Sequence, residues 1–234
     1  MQILIIADCY LPSLKSGAKL IHDLGVEFRR QGHEVTILTP SDAISEGLQV
    51  RTEDGLCIAR VKSGTIKGTT KLCRAIREMR LSDTLWRRAK SFLLARSVDL
   101  IVFYSPTIFF GPLVRRLKSH WGCPAYLILR DIFPQWAVDA GILRKGLVWW
   151  YFRRKEVEQY DVADLIVSNA TSGFGTMSDI TKRTRVVKSA EPAASPSKPS
   201  MRLNAFVISR THRMVNGRQY TRSSASPPWR NPRL

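Results

Sequence analysis

The chain has 234 residues and a net charge of +18, with no apolar run as long as a membrane span and only four scattered cysteines, Cys9, Cys57, Cys73 and Cys123, none forming a CxxC pair. That excludes a disulfide framework, makes a zinc site improbable, and bounds the answer to one domain of ordinary size, or one and a half. The charge is uneven: residues 1–168 carry 25 Lys and Arg against 17 Asp and Glu, and residues 169–234 carry 12 against 2.

The N-terminus begins directly on an apolar run with no basic region before it, so no signal peptide is read. Ile3 to Ala7 reads as a buried strand, Asp8 to Ser16 as a loop containing Pro12, and Gly17 to Arg30 as a helix. Leu20, Leu24 and Phe28 recur there at helical spacing, and Gly32 ends the helix. Val35 to Leu38 is a second strand, closed by Thr39 and Pro40. The unit fits a right-handed crossover in a parallel sheet. Its first loop lacks both GxGxxG and a P-loop lysine motif, and no acidic residue ends the second strand, so NAD and ATP binding of those types are not expected. Ser16 and Gly17 open a helix whose amides face the crevice, either for a ligand or as a plain helix start.

Leu48 to Lys62 reads as a hairpin turning at Asp54-Gly55. From about Thr70 to Arg96 the chain is helical and strongly basic, with Lys71, Arg74, Arg77, Arg80, Arg87, Arg88 and Lys90. This is either a solvated face or one that meets anionic lipid. Asp99 to Tyr104 is a buried strand ended by Ser105-Pro106-Thr107, and Ile108 to Leu117 is the next helix.

Pro124 to Asp139, PAYLILRDIFPQWAVD, organises the chain. Ala125 to Leu129 is a strand buried on both faces, and it stops at Arg130 and Asp131 before an aromatic, semi-rigid loop. A charged pair at the carboxyl end of such a strand is either an active-site lip or a cap. A helix follows from about Leu143 to Tyr160, with Trp149, Trp150, Tyr151 and Phe152 beside Arg153, Arg154 and Lys155. It suits a membrane interface, or a helix packed on the sheet with a basic rim. Ala163 to Ser168 is one more strand, and the whole reads as a doubly wound α/β domain.

MQILIIADCYLPSLKSGAKLIHDLGVEFRRQGHEVTILTP resembles the start of a GT-B glycosyltransferase of the large retaining family four. YSPTIFFGPLVRRLK, LILRDIFPQWAVDAGILRKG and YFRRKEVEQYDVADLI are similar to its WbuB-like subgroup, which assembles O-antigen, capsule and colanic acid. The resemblance covers about residues 1–167; RDIFPQWAVD is its specific part, and GHEVTILTP is shared by many GT-B proteins. It implies a Rossmann-like acceptor domain (residues 1–168), which binds a lipid-linked sugar at the inner membrane face. A second, donor domain grips the diphosphate of a nucleotide sugar, and neither cofactor nor metal is expected. By the resemblance, Asp131 lies near the acceptor hydroxyl and the anomeric carbon, where a carboxylate accepts a proton or stabilises oxocarbenium character. Arg130 would bind a phosphate of the lipid carrier, and Ser16, Gly17, Ser105 and Thr107 would face the same cleft.

After Ile166 the family pattern is lost. In residues 169–234, Arg, Ser, Pro and Ala make up 31 of 66 residues without any persisting period. Three readings remain: a native disordered basic tail, an unfamiliar small domain, or an out-of-frame translation. On the third, the chain is a truncated glycosyltransferase that lacks its donor half and does not transfer sugar alone. The competing class is a binding module whose basic tail contacts nucleic acid or anionic membrane. The tail's aromatics are not interleaved with its basic residues, only Tyr220 and Trp229 standing near them, so no nucleic acid partner is expected.

Overall fold

A computed structural model describes residues 1–64, 77–130, 132–168 and 185–188. By its internal contacts the chain separates into Met1–Ser189 and Ala190–Leu234. All described residues belong to the first unit. They form an eight-stranded sheet in the order β3-β4-β2-β1-β5-β6-β7-β8. The strands are β1 (Gln2–Ile6), β2 (Glu34–Ser41), β3 (Leu48–Glu53), β4 (Leu56–Lys62), β5 (Leu100–Ser105), β6 (Ala125–Leu129), β7 (Leu165–Ser168) and β8 (Arg185–Lys188). Every pairing is parallel except the β3–β4 hairpin.

Helices α1 (Ser16–Arg30), α2 (Leu81–Leu94), α3 (Gly111–Trp121), α4 (Gln135–Asp139) and α5 (Leu147–Asp161) connect the strands. Alternate residues of β1 and β5 serve opposite faces of the sheet, as the two-residue period of a strand requires. Leu4, Ile6, Ile101 and Phe103 join Leu85 and Leu93 of α2, Leu113 and Leu117 of α3 and Tyr160 of α5 in one core. On the other face α1 buries Leu20, Ile21, Leu24 and Phe28, each worth about 1.5–3 kcal/mol of apolar burial. Its C-terminus closes with Gly32 at φ 82, the Gly32 amide donating to Arg29 and the His33 amide to Phe28. These are the two bonds of a Schellman motif, and the left-handed glycine permits them. The hairpin turns through Asp54 (φ 50) and Gly55 (φ 74), a type I′ pair.

Several boundaries differ from the sequence expectation. β2 runs through Thr39 and Pro40 to Ser41, because β4 continues to pair with it there. Leu38 offers its carbonyl to Ala7 on the β1 side, and Pro40, two residues on, faces the same side, where the β1 pairing has already ended. The missing proline N–H therefore breaks no ladder bond. Ile108 to Phe110 are buried but lie before α3, which starts at Gly111 with Pro112 in its first turn. The basic helical stretch is broken at Arg80: residues 77–79 are helical and α2 runs on from Leu81; residues 70–76, with Lys71 and Arg74, lie outside the described residues. The helix expected from Leu143 begins at Leu147, and α4 interrupts the stretch expected to be a loop. The sheet also continues beyond residue 168, since β8 pairs in parallel with β7 inside a segment in which the sequence shows no persisting period. The rest of residues 169–234 lies outside the described residues.

α5 packs with a polar inner face. Glu156, Gln159 and Tyr160 are fully buried. The Tyr160 hydroxyl donates to Glu156 at 2.7 Å, Arg153 also donates to Glu156, and the Phe110 amide donates to Gln159 Oε1 at 3.4 Å. Burial holds the Glu156 carboxyl above its ordinary range, and Tyr160 and Arg153 pull it partly back. The N-terminal half of α5 instead exposes Leu147, Val148 and Trp150, so the helix packs on the domain through only part of its length.

Candidate functional site

The chain leaves β1 towards β2 on one side, and β5, β6, β7 and β8 follow on the other. The carboxyl ends of β1 and β5 therefore flank a topological switch point, where open α/β sheets form their ligand crevice. Two adjoining cavities lie there, of about 630 and 270 Å³, and both are lined by Asp8, Lys15, Pro40 and Ser63. The larger extends over Tyr10, Ser41 and Arg60, and the smaller reaches Leu81, Pro106 and Thr107.

Three strand ends supply the polar groups. From β6, Arg130 Nη1 donates to Ser16 Oγ at 2.9 Å and to the Tyr104 hydroxyl at 3.2 Å. This ties the ends of β5 and β6 to the start of α1. Gly17 makes the junction possible: a Cβ there would lie 2.8 Å from Tyr104 Cε1 and 3.0 Å from its hydroxyl. Burial pushes the Tyr104 phenol up, and the Arg130 guanidinium opposes that shift. At the end of β1, the Cys9 thiol is pushed up to about 12, chiefly by burial and then by Asp8. It is protonated at neutral pH, a poor nucleophile.

The loop after β1 is held from the hairpin side. Arg60 makes a two-pronged ion pair with Glu53 at 2.6 and 2.9 Å, donates to the Leu11 carbonyl at 3.0 Å, and lies 5.8 Å over the Tyr10 ring. The Tyr10 hydroxyl shares a 2.8 Å hydrogen bond with His22 Nδ1. Arg60 holds the Glu53 carboxyl below its usual range.

The expected site residues fall as follows. Ser16, Gly17 and Arg130 meet around Tyr104. Ser105 is the last residue of β5 rather than part of the loop; it is fully buried, and its Oγ has no hydrogen-bond partner among the described residues. Thr107 lines the smaller cavity, its Oγ1 accepting from the Phe109 amide at 3.4 Å. Asp131 lies outside the described residues. Sequence reasoning missed Asp8, Lys15, Tyr104 and Arg60. For Asp8 a signal existed, an acidic residue directly after the first apolar strand. For Arg60 there was none, because it reads as an ordinary hairpin cation. Among the described residues no three His, Cys, Asp or Glu side chains stand in a metal-binding group, and no helix is long and apolar enough to cross a membrane.

No protein-family model matches the chain, and no curated protein sequence matches it. Solved structures do. Sucrose-phosphate synthase from Thermosynechococcus elongatus aligns with a TM-score of 0.57 at 10% identity, over 80% of this chain and 47% of that one. UGT2 of Phytolacca americana, without ligand, aligns with a TM-score of 0.51 at 12% identity, over 84% and 53%. The chain thus spans about half the length of these two enzymes. At such identities the likeness establishes the fold, the Rossmann-like α/β fold found in GT-B glycosyltransferases.

Proposed function

We propose that residues 1–168, with β8 added to their sheet, belong to the acceptor domain of a glycosyltransferase of surface-polysaccharide assembly, of family four and the WbuB-like subgroup, and that the chain beyond β8 is a basic tail. The observation that carries this reading is the cleft at the β1/β5 switch point, where Ser16, Tyr104 and Arg130 from three separate elements are joined by hydrogen bonds and the loop leading to Ser16, through Asp8 and Lys15, lines two open cavities. The similarity of the fold to GT-B enzymes and the family-like RDIFPQWAVD segment support it. On this reading the cleft holds the sugar of a lipid-linked acceptor. Asp131 supplies the carboxylate that accepts the acceptor's proton or stabilises oxocarbenium character, and Arg130 meets a carrier phosphate after exchanging its contacts with Ser16 and Tyr104.

The nucleotide-sugar donor is assigned to a second domain. Transfer requires the donor's diphosphate to be held while its glycosidic bond breaks, and that positioning carries most of the rate. A protein of these 234 residues alone is therefore expected to bind acceptor without turnover. The assay supplies the purified chain, a polyprenyl-diphosphate sugar in vesicles and a panel of nucleotide sugars. Retention of acceptor with no transfer is the expected result. Transfer that is abolished by Asp131→Ala would restore a complete enzyme, and failure to retain acceptor would remove the acceptor-domain reading. Sequencing the coding DNA beyond residue 166 in all three frames tests the out-of-frame origin of the tail; a donor domain in another frame is the expected finding.

The proposed acceptor also places the chain on an anionic membrane surface. α5 and the segment before it expose Ile142, Leu147, Val148 and Trp150. Arg144, Lys145 and Arg154 are exposed in the same stretch. Apolar residues among cations fit an interface of anionic head groups, each cation contributing on the order of 1 kcal/mol at low salt. Stronger partitioning onto anionic than onto neutral vesicles is expected, and equal partitioning would remove the membrane from this reading.

A further inference from the structure

Asp8 is the first residue beyond the β1 ladder, whose last bond runs from the Ala7 amide to the Leu38 carbonyl at 3.1 Å. Its side chain is only 17% exposed, yet among the described residues no nitrogen or oxygen lies within hydrogen-bonding distance of either carboxylate oxygen. Oδ1 is buried without a nitrogen or oxygen partner, Oδ2 has only Lys15 Nζ at 3.6 Å, and the side-chain hydrogen bond that Asp8 does receive comes from the Cys9 thiol, a weak donor. A carboxylate so far out of water ordinarily accepts two or three good hydrogen bonds. Asp8 is also one of the few residues that line both lobes of the cleft. A group that is under-satisfied in the free protein and stands at the junction of two open cavities is completed by whatever occupies them.

We propose that Asp8, through the accessible oxygen Oδ2, accepts a hydrogen bond from a hydroxyl of a sugar ring bound across the two cavities and thereby sets the orientation of that ring. The charge balance selects a neutral donor. Lys15 already stands beside Oδ2, and Arg130 and Lys15 both act on the adjacent Cys9 thiol, so a second cationic ligand would meet repulsion. The inference rests on the glycosyltransferase reading for the class of ligand and goes beyond it in naming the residue. It also separates Asp8 from Asp131, which follows β6 rather than β1.

The assignment carries a signature that a structural carboxylate lacks. If Asp8 is kept for a ligand at some cost to the free protein, Asp8→Asn removes a poorly solvated charge at constant shape. The variant should then melt at the same or a higher temperature while binding sugar more weakly. The test titrates the full 234-residue chain with methyl α-glucoside, methyl α-galactoside and methyl N-acetyl-α-glucosaminide, read by saturation-transfer NMR. At least one should saturate the wild type, and Asp8→Asn should weaken that ligand about tenfold or more, the loss of one charged hydrogen bond. Asp8→Glu, which keeps the charge but moves the oxygen, should weaken it less. Equal affinity in Asp8→Asn overturns this inference and leaves the glycosyltransferase reading standing. A large fall in melting temperature or failure to fold in Asp8→Asn, with Asp8→Glu binding as the wild type does, also overturns it by marking the carboxylate as structural. Absence of saturable binding of any of the three sugars by the wild type overturns both.

Discussion

At the amino-terminal edge of the sheet, Asp99 and Asp164 each precede one strand and cap its neighbour. The Gln2 amide donates to Asp99 Oδ2 at 2.8 Å, the Ala125 amide donates to Asp164 Oδ2 at 2.8 Å, and each aspartate returns its own amide to the carbonyl of the residue it caps. Lys118 adds a 2.7 Å bond to Asp164. At the carboxyl edge Asp8 follows a strand and receives nothing comparable. Ser105, at the same edge, buries a hydroxyl without a partner among the described residues. The same side chain thus serves opposite ends of one sheet: satisfied where strands begin, under-satisfied where they end. Edges built for stability complete their hydrogen bonds internally, and a ligand-facing edge leaves some for the ligand.

The contrast has a boundary case at Arg60, which belongs to the carboxyl edge but is fully engaged. Arg60→Ala strips Glu53 and the Leu11 carbonyl of their donor and releases the loop that carries Asp8. It should cost about 3 kcal/mol, the low end for breaking a largely buried pair because Glu53 is partly exposed. Urea unfolding measures it, and a cost below about 1 kcal/mol would mean that the loop is held by something else. On the amino-terminal edge, Asp164→Ala should cost about 2 kcal/mol through two charge-assisted bonds, with sugar binding intact. A binding defect there would erase the distinction between the edges. Gly17→Ala should cost about 1.5 kcal/mol, because the new methyl must displace Tyr104. The NMR signals of the Tyr104 ring should move with it.

The smallest effect is on pH dependence. The hydrogen bond from Arg60 places the folded value of Glu53 below its unfolded value near 4.5. The stability it supplies is therefore fully present above that value and is lost as pH falls through the lowered one. Arg60→Ala should flatten the stability profile in that acid range. An unchanged profile would show that Glu53 is held down by other groups.

What the sequence made legible follows from what is local. The apolar runs of β1, β5 and β6, the Asp54-Gly55 turn and the periodic face of α1 each carry their own signal, and all are present. The gathering of Ser16 and Arg130 at one edge followed from strand topology and is present too. α4 escaped because five residues hold too little period to read. β8 escaped because four residues in an Arg- and Ser-rich stretch have no pattern until β7 offers them an edge. The roles of Tyr104 and Arg60 were illegible for a deeper reason. Tyr104 matters because it meets Gly17, 87 positions earlier, and Arg60 because it meets Leu11, 49 positions earlier. Such pairings exist only once the sheet is assembled.

The order β4-β2-β1-β5 sets a schedule for synthesis. β1 sits between β2 and β5, and the bond that seats it beside β5 joins Gln2 to Asp99, 97 residues apart. At about 5–20 residues per second, the ribosome takes roughly 5–20 s to supply the second neighbour of a strand it made first. Over that interval β1 is an apolar edge with unpaired backbone groups, the kind that recruits other chains. The nascent chain therefore has its period of greatest aggregation hazard between the emergence of β2 and that of β5, and a chaperone or a slow stretch of codons would have most effect there.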